Sequence, residues 1–305
     1  MTRAPLAIVR EGQISLTPSC SIVMPAYNRA DVIGRAIQSV LTQSFEDFEL
    51  IIVDDGSCDN TLEVASSFDD PRVRIYKLER NSGSAHARNR GIEIARGQWI
   101  AFQDSDDEWL PTLLERHAAN FARPEIDVSF CQLRQQYAAE TRFFPPDGVQ
   151  VPEAPTALII AGPIMSSQTL AVRAPVLRRI GAVDEALPSL EDWELGIRLS
   201  RQHRFAYIAE PLAIAYESEN SMTKNVGSFL KARSAIIEKH EDLFRRFPAS
   251  LARHRYILGR QHHQRGERGA AINQFVLSVS SRPLYLKAWA GMLASLTLVP
   301  KRAAT

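Results

Sequence analysis

Cysteine is scarce in this 305-residue chain, where Cys20, Cys58 and Cys131 stand in unrelated contexts without CxxC or Cys/His spacing. That pattern suggests neither a disulfide framework nor a zinc site, and it fits a reducing, cytoplasmic setting. Long apolar runs are missing too. The opening stretch MTRAPLAIVREGQISLTPS is broken by Arg10 and Glu11, too polar for the apolar core of a signal peptide. The most apolar late segment, 288–299, holds Ser295 and Thr297 and meets Pro300. It falls well short of the roughly 20 residues a spanning helix needs. Neither GxGxxG nor a Walker sequence occurs, so neither a dinucleotide site nor a P-loop is indicated. What is present, 45% hydrophobic and 23% charged residues, suits a globular chain with a substantial core. Disorder, collagen and coiled coil fit poorly.

The net charge of +1 hides an asymmetry. Residues 224–305 carry 15 Lys/Arg against 4 Asp/Glu, and residues 1–223 carry 21 against 31. The two stretches therefore stand at +11 and −10, and the basic one should prefer anionic surfaces.

Between residues 20 and 107, short β-rich runs alternate with helical stretches. SIVMP precedes a predicted helix over 30–41, ELIIVDD one over 60–68, and RVRIY one over 85–96, before QWIAFQD. This alternation predicts βαβ units and a parallel sheet. The unbroken apolar run Leu50 to Val53 reads as a strand covered on both faces. Three of these strand ends read as candidate site segments: Pro25, Ala26, Tyr27 and Asn28; then Asp54 and Asp55; then Asp104, Ser105, Asp106 and Asp107. Parallel strands share a polarity, so all three ends should open on the edge of the sheet where ligands collect. Later, IDVSFCQLR and SQTLAVR read as strands, FFPPDGVQVPEAP as a Pro-rich loop, and LEDWELGIRLSRQ as a helix with acids at its positive end. From Gly227 onward the chain reads as helical, with a hairpin about Gly266 that resembles a single tetratricopeptide-like pair.

Three acids within four residues at 104–107 repel one another, which calls for a cation. Carboxylate oxygens suit Mg²⁺ or Mn²⁺ carrying a diphosphate. The competing reading makes them caps for a helix starting near Pro111. Asp54 and Asp55 likewise either grip a ribose or base edge or belong to a turn whose helix Ser57 or Asp59 caps.

Together, SIVMPAYNRADVIGRAIQSVLTQSFEDFELIIVDDGSCDNT, NSGSAHARNRGIEIARGQWIAFQDSDDEWLP and LEDWELGIRL resemble the family 2 glycosyltransferases over about residues 20–223. The resemblance implies an α/β GT-A fold, Rossmann-like, with a mostly parallel central sheet flanked by helices, here followed by an all-helical C-terminal extension. It divides the chain into an extension over 1–19, a catalytic domain over 20–224 and a basic helical region over 225–305. It implies inverting transfer of a sugar from a nucleotide diphosphate donor, in the first instance a UDP-sugar, to a glycan or lipid-linked acceptor. The setting it implies is polysaccharide or glycoconjugate assembly, with Mn²⁺ or Mg²⁺ on the diphosphate.

Carried over residue by residue, Pro25, Ala26, Tyr27, Asn28, Asp54 and Asp55 would hold nucleobase and ribose. Arg88 and Asn89 would meet phosphate oxygens at a helix start. Asp104 and Ser105 would face the ribose, and Asp106, with Asp107 sharing, the metal. Asp192 becomes the general base with Glu191 beside it. Without the resemblance, Glu191 and Asp192 are plain helix-dipole acids, and Arg88 lies on a solvated helix face. Trp109 and Trp193 read as core, and His86, His262 and His263 as ordinary surface or helix residues. In AYESENSMT the family's His or Arg is missing; a third metal ligand is left unassigned, and the loop over 221–224 is expected to order on donor binding.

Two other classes compete. One is a GT-A scaffold that binds nucleotide sugar without transfer, which has no need for the full acidic set. The other is a nucleotidyltransferase, which would need a Gly/Arg-rich triphosphate loop that AYNRADVIG does not supply. No nucleic-acid motif appears. The basic region either closes on the catalytic domain or forms a homodimer contact, or it docks peripherally on an anionic membrane through Trp289, Met292, Leu293 and Leu296.

Overall fold

The computed structural model describes residues 6–11, 17–217 and 226–297. Their contacts fall into two units. The first comprises Met1–Thr156, Pro163–Ala186 and Glu191–Glu219; the second comprises Ala157–Gly162, Leu187–Leu190 and Asn220–Thr305.

The first unit is built on a mixed sheet. Its strands are β1 (Ala7–Arg10), β2 (Cys20–Ala26), β3 (Phe48–Asp54), β4 (Val73–Lys77), β5 (Trp99–Phe102), β6 (Glu108–Trp109), β7 (Val128–Gln136), β8 (Thr141–Phe144), β9 (Leu170–Arg173) and β10 (Phe205–Tyr216). They lie in the order β1-β4-β3-β2-β5-β9-β7-β10-β6, with β8 beside β7. The centre, β4-β3-β2-β5, is parallel, as the βαβ alternation requires. Antiparallel β1 and β9 flank it, and β10 runs parallel to β7. Every residue of β2 and β3 is buried. Their apolar runs reflect helices on both faces rather than a solvated side. Pro25 is tolerated in this central strand because β5 pairs only as far as Val23, so the missing N–H breaks no ladder bond.

The crossovers are α1 (Ile33–Leu41), α2 (Thr61–Ser66) and α3 (Ser84–Ile94), followed by α4 (Leu113–Phe121) after β6. Each begins one to three residues later than its sequence pattern suggests, apart from α3, which starts one residue earlier. The polar residues at the start of the first two belong to connecting turns. At Gly91 a Cβ would come within 2.4 Å of the Val23 side chain, so only glycine lets α3 lie this close to β2. That packing fixes where Arg88, one turn earlier, emerges. The helix α6 (Ala174–Ile180) ends on left-handed Gly181, and α7 (Glu191–Ser200) carries Glu191, Asp192 and Glu194 in its first turn.

The second unit is helical: α5 (Thr156–Ala161, of which Thr156 belongs to the first unit), α8 (Val226–Lys239), α9 (Glu241–Phe244), α10 (Pro248–Gln264), α11 (Arg268–Ser281) and α12 (Leu286–Thr297). The hairpin about Gly266 forms with this glycine at φ 77°, a conformation that costs other residues. The helical stretch expected from Gly227 onward is broken at His240, between α8 and α9. Phe275 packs with Ala271 and Ala288 in a small core of its own. Among the described residues no helix is long and apolar enough to cross a membrane.

Candidate active site

Beyond β3 the two aspartates part ways. Asp55 accepts the Ser82 and Gly83 amides, both at 2.8 Å, and its own N–H bonds the Ala26 carbonyl at 2.8 Å. It holds the 79–83 loop, and burial pushes its carboxyl up. Asp54 accepts the Ser57 N–H at 3.2 Å through Oδ1, while its buried Oδ2 has no partner among the described residues. Of the pair, Asp54 therefore keeps an oxygen unmatched. Exposed Tyr27 and Asn28 follow β2, and Asn28 takes φ 50°, which asparagine tolerates. Its Oδ1 accepts the Cys58 N–H at 2.9 Å.

After β5, residues 104–107 form a tight turn closed by the Asp107 N–H on the Asp104 carbonyl, with Ser105 buried inside it. β6 pairs with β10 and clamps the turn from the other side. Asp107 is consumed in this clamp. Its oxygens accept Gln168 Nε2 at 2.8 Å and the Tyr216 N–H at 3.3 Å, and burial with Asp104 and Asp106 nearby pushes its carboxyl well up. The expectation that Asp107 shares a metal thus meets a side chain already committed internally. Asp106 differs. Burial and the charge of Asp104 raise its carboxyl, and Arg29 Nε approaches only to 3.6 Å.

Arg88 departs from its expected position. It is the fifth residue of α3, not at the amino terminus, and its buried guanidinium faces acids rather than open space. One nitrogen donates to Asp104 at 2.7 Å and the other to Glu191 at 3.1 Å. Asn89 is turned inward: it donates to the Val183 carbonyl and accepts the Val183 N–H, both at 2.9 Å, and reaches Glu185 at 2.7 Å. This is an internal clamp, contrary to the phosphate contact expected of it.

On α7, Glu194 is bound by Arg198 at 2.8 Å and Glu191 by Arg88. Asp192, partly exposed, accepts the Trp193 N–H at 2.7 Å. Burial and the neighbouring charge of Glu191 push its carboxyl up to about 7, against the smaller opposing effect of Arg88. An acid that titrates near neutrality can take a proton at working pH and give it up again. Trp193 and Trp109 are core residues. The second also donates its indole N–H to the Gln168 carbonyl at 2.8 Å.

Sequence reasoning passed over several neighbours. Arg35 donates to the Asp106 carbonyl at 2.6 Å and lies 3.9 Å over the Tyr216 ring, whose hydroxyl donates to Glu108 at 2.7 Å. Arg29 and Arg35 sit just after the first strand end, in NRADVIGR, a signal that basic side chains border the crevice. His86, read as ordinary, pairs with Glu185 at 3.0 Å and acts electrostatically on Asp55. The loop over 221–224, with Ser218, Glu219 and Asn220, lies outside the described residues.

Residues 21–171, about half of the chain, match the family model for glycosyl transferase family 2. The chain belongs to that family, and its fold is the GT-A fold. Among curated relatives, the succinoglycan biosynthesis protein ExoO of Rhizobium meliloti is 48% identical over 103 residues, 34% of this chain and 30% of that protein. This chain matches less than half the length of the first several such relatives. Among solved structures, S. aureus TarS 1–349 in complex with UDP-GlcNAc gives a TM-score of 0.63 at 21% identity, covering 91% of this chain and 89% of that one. Mannosyltransferase PcManGT from Pyrobaculum calidifontis, in complex with GDP-Man and Mn²⁺, gives 0.64 at 16%, covering 95% and 85%.

Proposed function

We propose that this protein is an inverting glycosyltransferase that moves a sugar from a nucleotide diphosphate donor to an acceptor hydroxyl of a glycan or lipid-linked glycan in polysaccharide assembly. One observation carries the reading: Arg88 ties Asp104, at the end of β5, to Glu191, the first residue of α7. This sets a turn suited to a diphosphate beside an aspartate that titrates near neutrality. TarS with UDP-GlcNAc and PcManGT with GDP-Man support a nucleotide-sugar donor, with uridine and guanosine as the nucleosides to test first.

In this reading Asp54, with its spare Oδ2, and the backbone at Pro25 and Ala26 receive the nucleoside, with Tyr27 and Asn28 at the mouth. Asp104 turns toward the ribose. Asp192 removes the acceptor hydroxyl proton as that oxygen bonds to the sugar C1. The bond from C1 to the diphosphate breaks with its electron pair on the departing nucleoside diphosphate. One displacement inverts C1 and needs no covalent nucleophile.

A divalent cation fits the acids. No group of three metal-ligating side chains occurs among the described residues, but Mg²⁺ and Mn²⁺ commonly bind through one or two carboxylates, waters and substrate phosphates. Asp106 would hold it, with Asp104 close by, and the ion would stabilise charge on the leaving diphosphate. Arg29 and Arg35 add positive charge on the same side.

Calorimetry with UDP-GlcNAc and GDP-Man, each with and without Mn²⁺, tests the donor. One of them should bind with metal and lose its metal dependence in Asp106→Asn. Absence of binding to every nucleotide diphosphate sugar tried would refute the reading.

A further inference from the structure

α12 is apolar on both sides. Its inner face carries buried Ala288, with Met292 packed against the small core of Phe275 and Ala271. Its outer face presents Leu286, Trp289, Leu293 and Leu296 at 75%, 42%, 57% and 59% exposure, and Leu284 in the preceding loop stands at 85%. The spacing i, i+3, i+7, i+10 places the four helical residues in one stripe. The stripe is largely exposed, and contiguous exposed apolar surface marks a place of interaction. The Trp289 indole N–H donates to the Pro283 carbonyl at 2.8 Å, which ties the loop to the helix. Met292, expected on that face from sequence, is inside, and Leu284 and Leu286 extend the face instead.

The surrounding charge decides the occupant. From Arg268 to the end the sequence has no Asp or Glu, but it has Arg268, Arg282, Lys287, Lys301 and Arg302. Arg282 and Lys287 are exposed beside Leu284 and Leu286. A second copy laid face to face would bring these like charges together. Trp and Leu bordered by Lys and Arg, with no acid among them, match the interface of an anionic bilayer. Twelve residues span about 18 Å, too little for a hydrocarbon core of about 30 Å, so the helix would lie in the membrane plane. We propose that α12 and the loop before it dock this protein on an anionic lipid surface, with Leu284, Leu286, Trp289, Leu293 and Leu296 entering the boundary and Arg282 and Lys287 meeting headgroups. The proposal rests on the helical unit alone and is independent of the donor and acceptor assigned above.

The test uses the full chain with vesicles of phosphatidylglycerol in phosphatidylcholine, against phosphatidylcholine alone. Sedimentation should require phosphatidylglycerol and weaken with salt. Brominated acyl chains should quench Trp289, the exposed one of four tryptophans, since Trp99, Trp109 and Trp193 are buried. Leu293→Ser combined with Leu296→Ser should cut vesicle binding at least about tenfold, and Lys287→Gln about fivefold at low salt, with melting temperatures unchanged. Leu284→Ser, outside the helix, should weaken binding by itself and keeps the test open if the double variant fails to fold. Failure to sediment, equal binding to neutral vesicles, or full binding by Leu284→Ser and the double variant would overturn the proposal. So would a dimer in ultracentrifugation that the double variant dissolves while vesicles bind neither protein; that result would make the face an interface between copies.

Discussion

The two ends of the same parallel strands each hold an arginine between acids, and they differ in what is left over. At the amino ends, buried Glu49 accepts Ser21 Oγ at 2.5 Å and the Arg96 N–H at 2.6 Å on one oxygen, and Arg74 at 2.5 Å on the other. Arg74 goes on to Glu11, to the Ile94 carbonyl and to the Tyr76 hydroxyl. Both oxygens of Glu49 have found donors. At the carboxyl ends, Arg88 joins Asp104 to Glu191, yet Asp54 keeps an unmatched oxygen, Asp106 has Arg29 only at 3.6 Å, and Asp192 is held near neutral pKa. An arginine bridging two acids is thus shared by both ends, and the Arg88 bridge counts toward a site because it sets the 104–107 turn beside Asp192. Unspent valence and shifted acids at one end, against a closed account at the other, distinguish binding chemistry from architecture.

Substitution at each end should separate the two roles, and the largest effect is expected at Asp192. Asp192→Asn keeps shape and removes the base. Transfer should fall about 10²–10⁴-fold while calorimetry shows donor binding within twofold of the parent. A variant that transfers at the parental rate would remove Asp192 from the mechanism. Next comes Glu49→Gln, which leaves Arg74 with only the more exposed Glu11 as countercharge and should cost about 3 kcal/mol in chemical denaturation. The folded fraction should still bind donor normally. Loss of donor affinity at full folding would erase the distinction between the two ends.

The carboxyl end was more legible than the amino end because of where its acids stand. Asp54, Asp104 and Asp106 stand at or just after the ends of apolar strands, the edge where ligands collect in open α/β sheets. Glu49 lies inside the run FELIIVD, and nothing local tells that its partners are 25, 28 and 47 residues away in sequence. The antiparallel flank β9 and the short β6 were illegible as pairings for the same reason. Side-chain allegiance was the other blind spot. Asn89 and Asp107 belong to the right segments, but only tertiary contacts reveal that Val183 and Gln168 with Tyr216 consume them. In the helical unit, periodicity found α10 and α11, yet it could not tell which side of α12 faced inward, since both sides are apolar.

The smallest and sharpest effects concern the pH at which Asp192 titrates. The base must be deprotonated to act, so kcat/KM, which reports the free enzyme, should rise through a limb near pH 7 and level above it. Glu191 holds the carboxyl up by repulsion and Arg88 draws it down, which gives two substitutions of opposite sign. Arg88→Gln removes the cation and should move the limb alkaline, by at most about one pH unit, which is about tenfold in rate on the acid side. Glu191→Gln removes the repulsion and should move it acid. Arg74→Met, at the other end of the strands, should lower stability and leave the limb where it was. If Arg88→Gln and Glu191→Gln shift the limb in the same direction, the charge at Asp192 is set by something other than these two neighbours. If Arg74→Met shifts it as well, the limb follows the net charge of the unit instead of the geometry around α7.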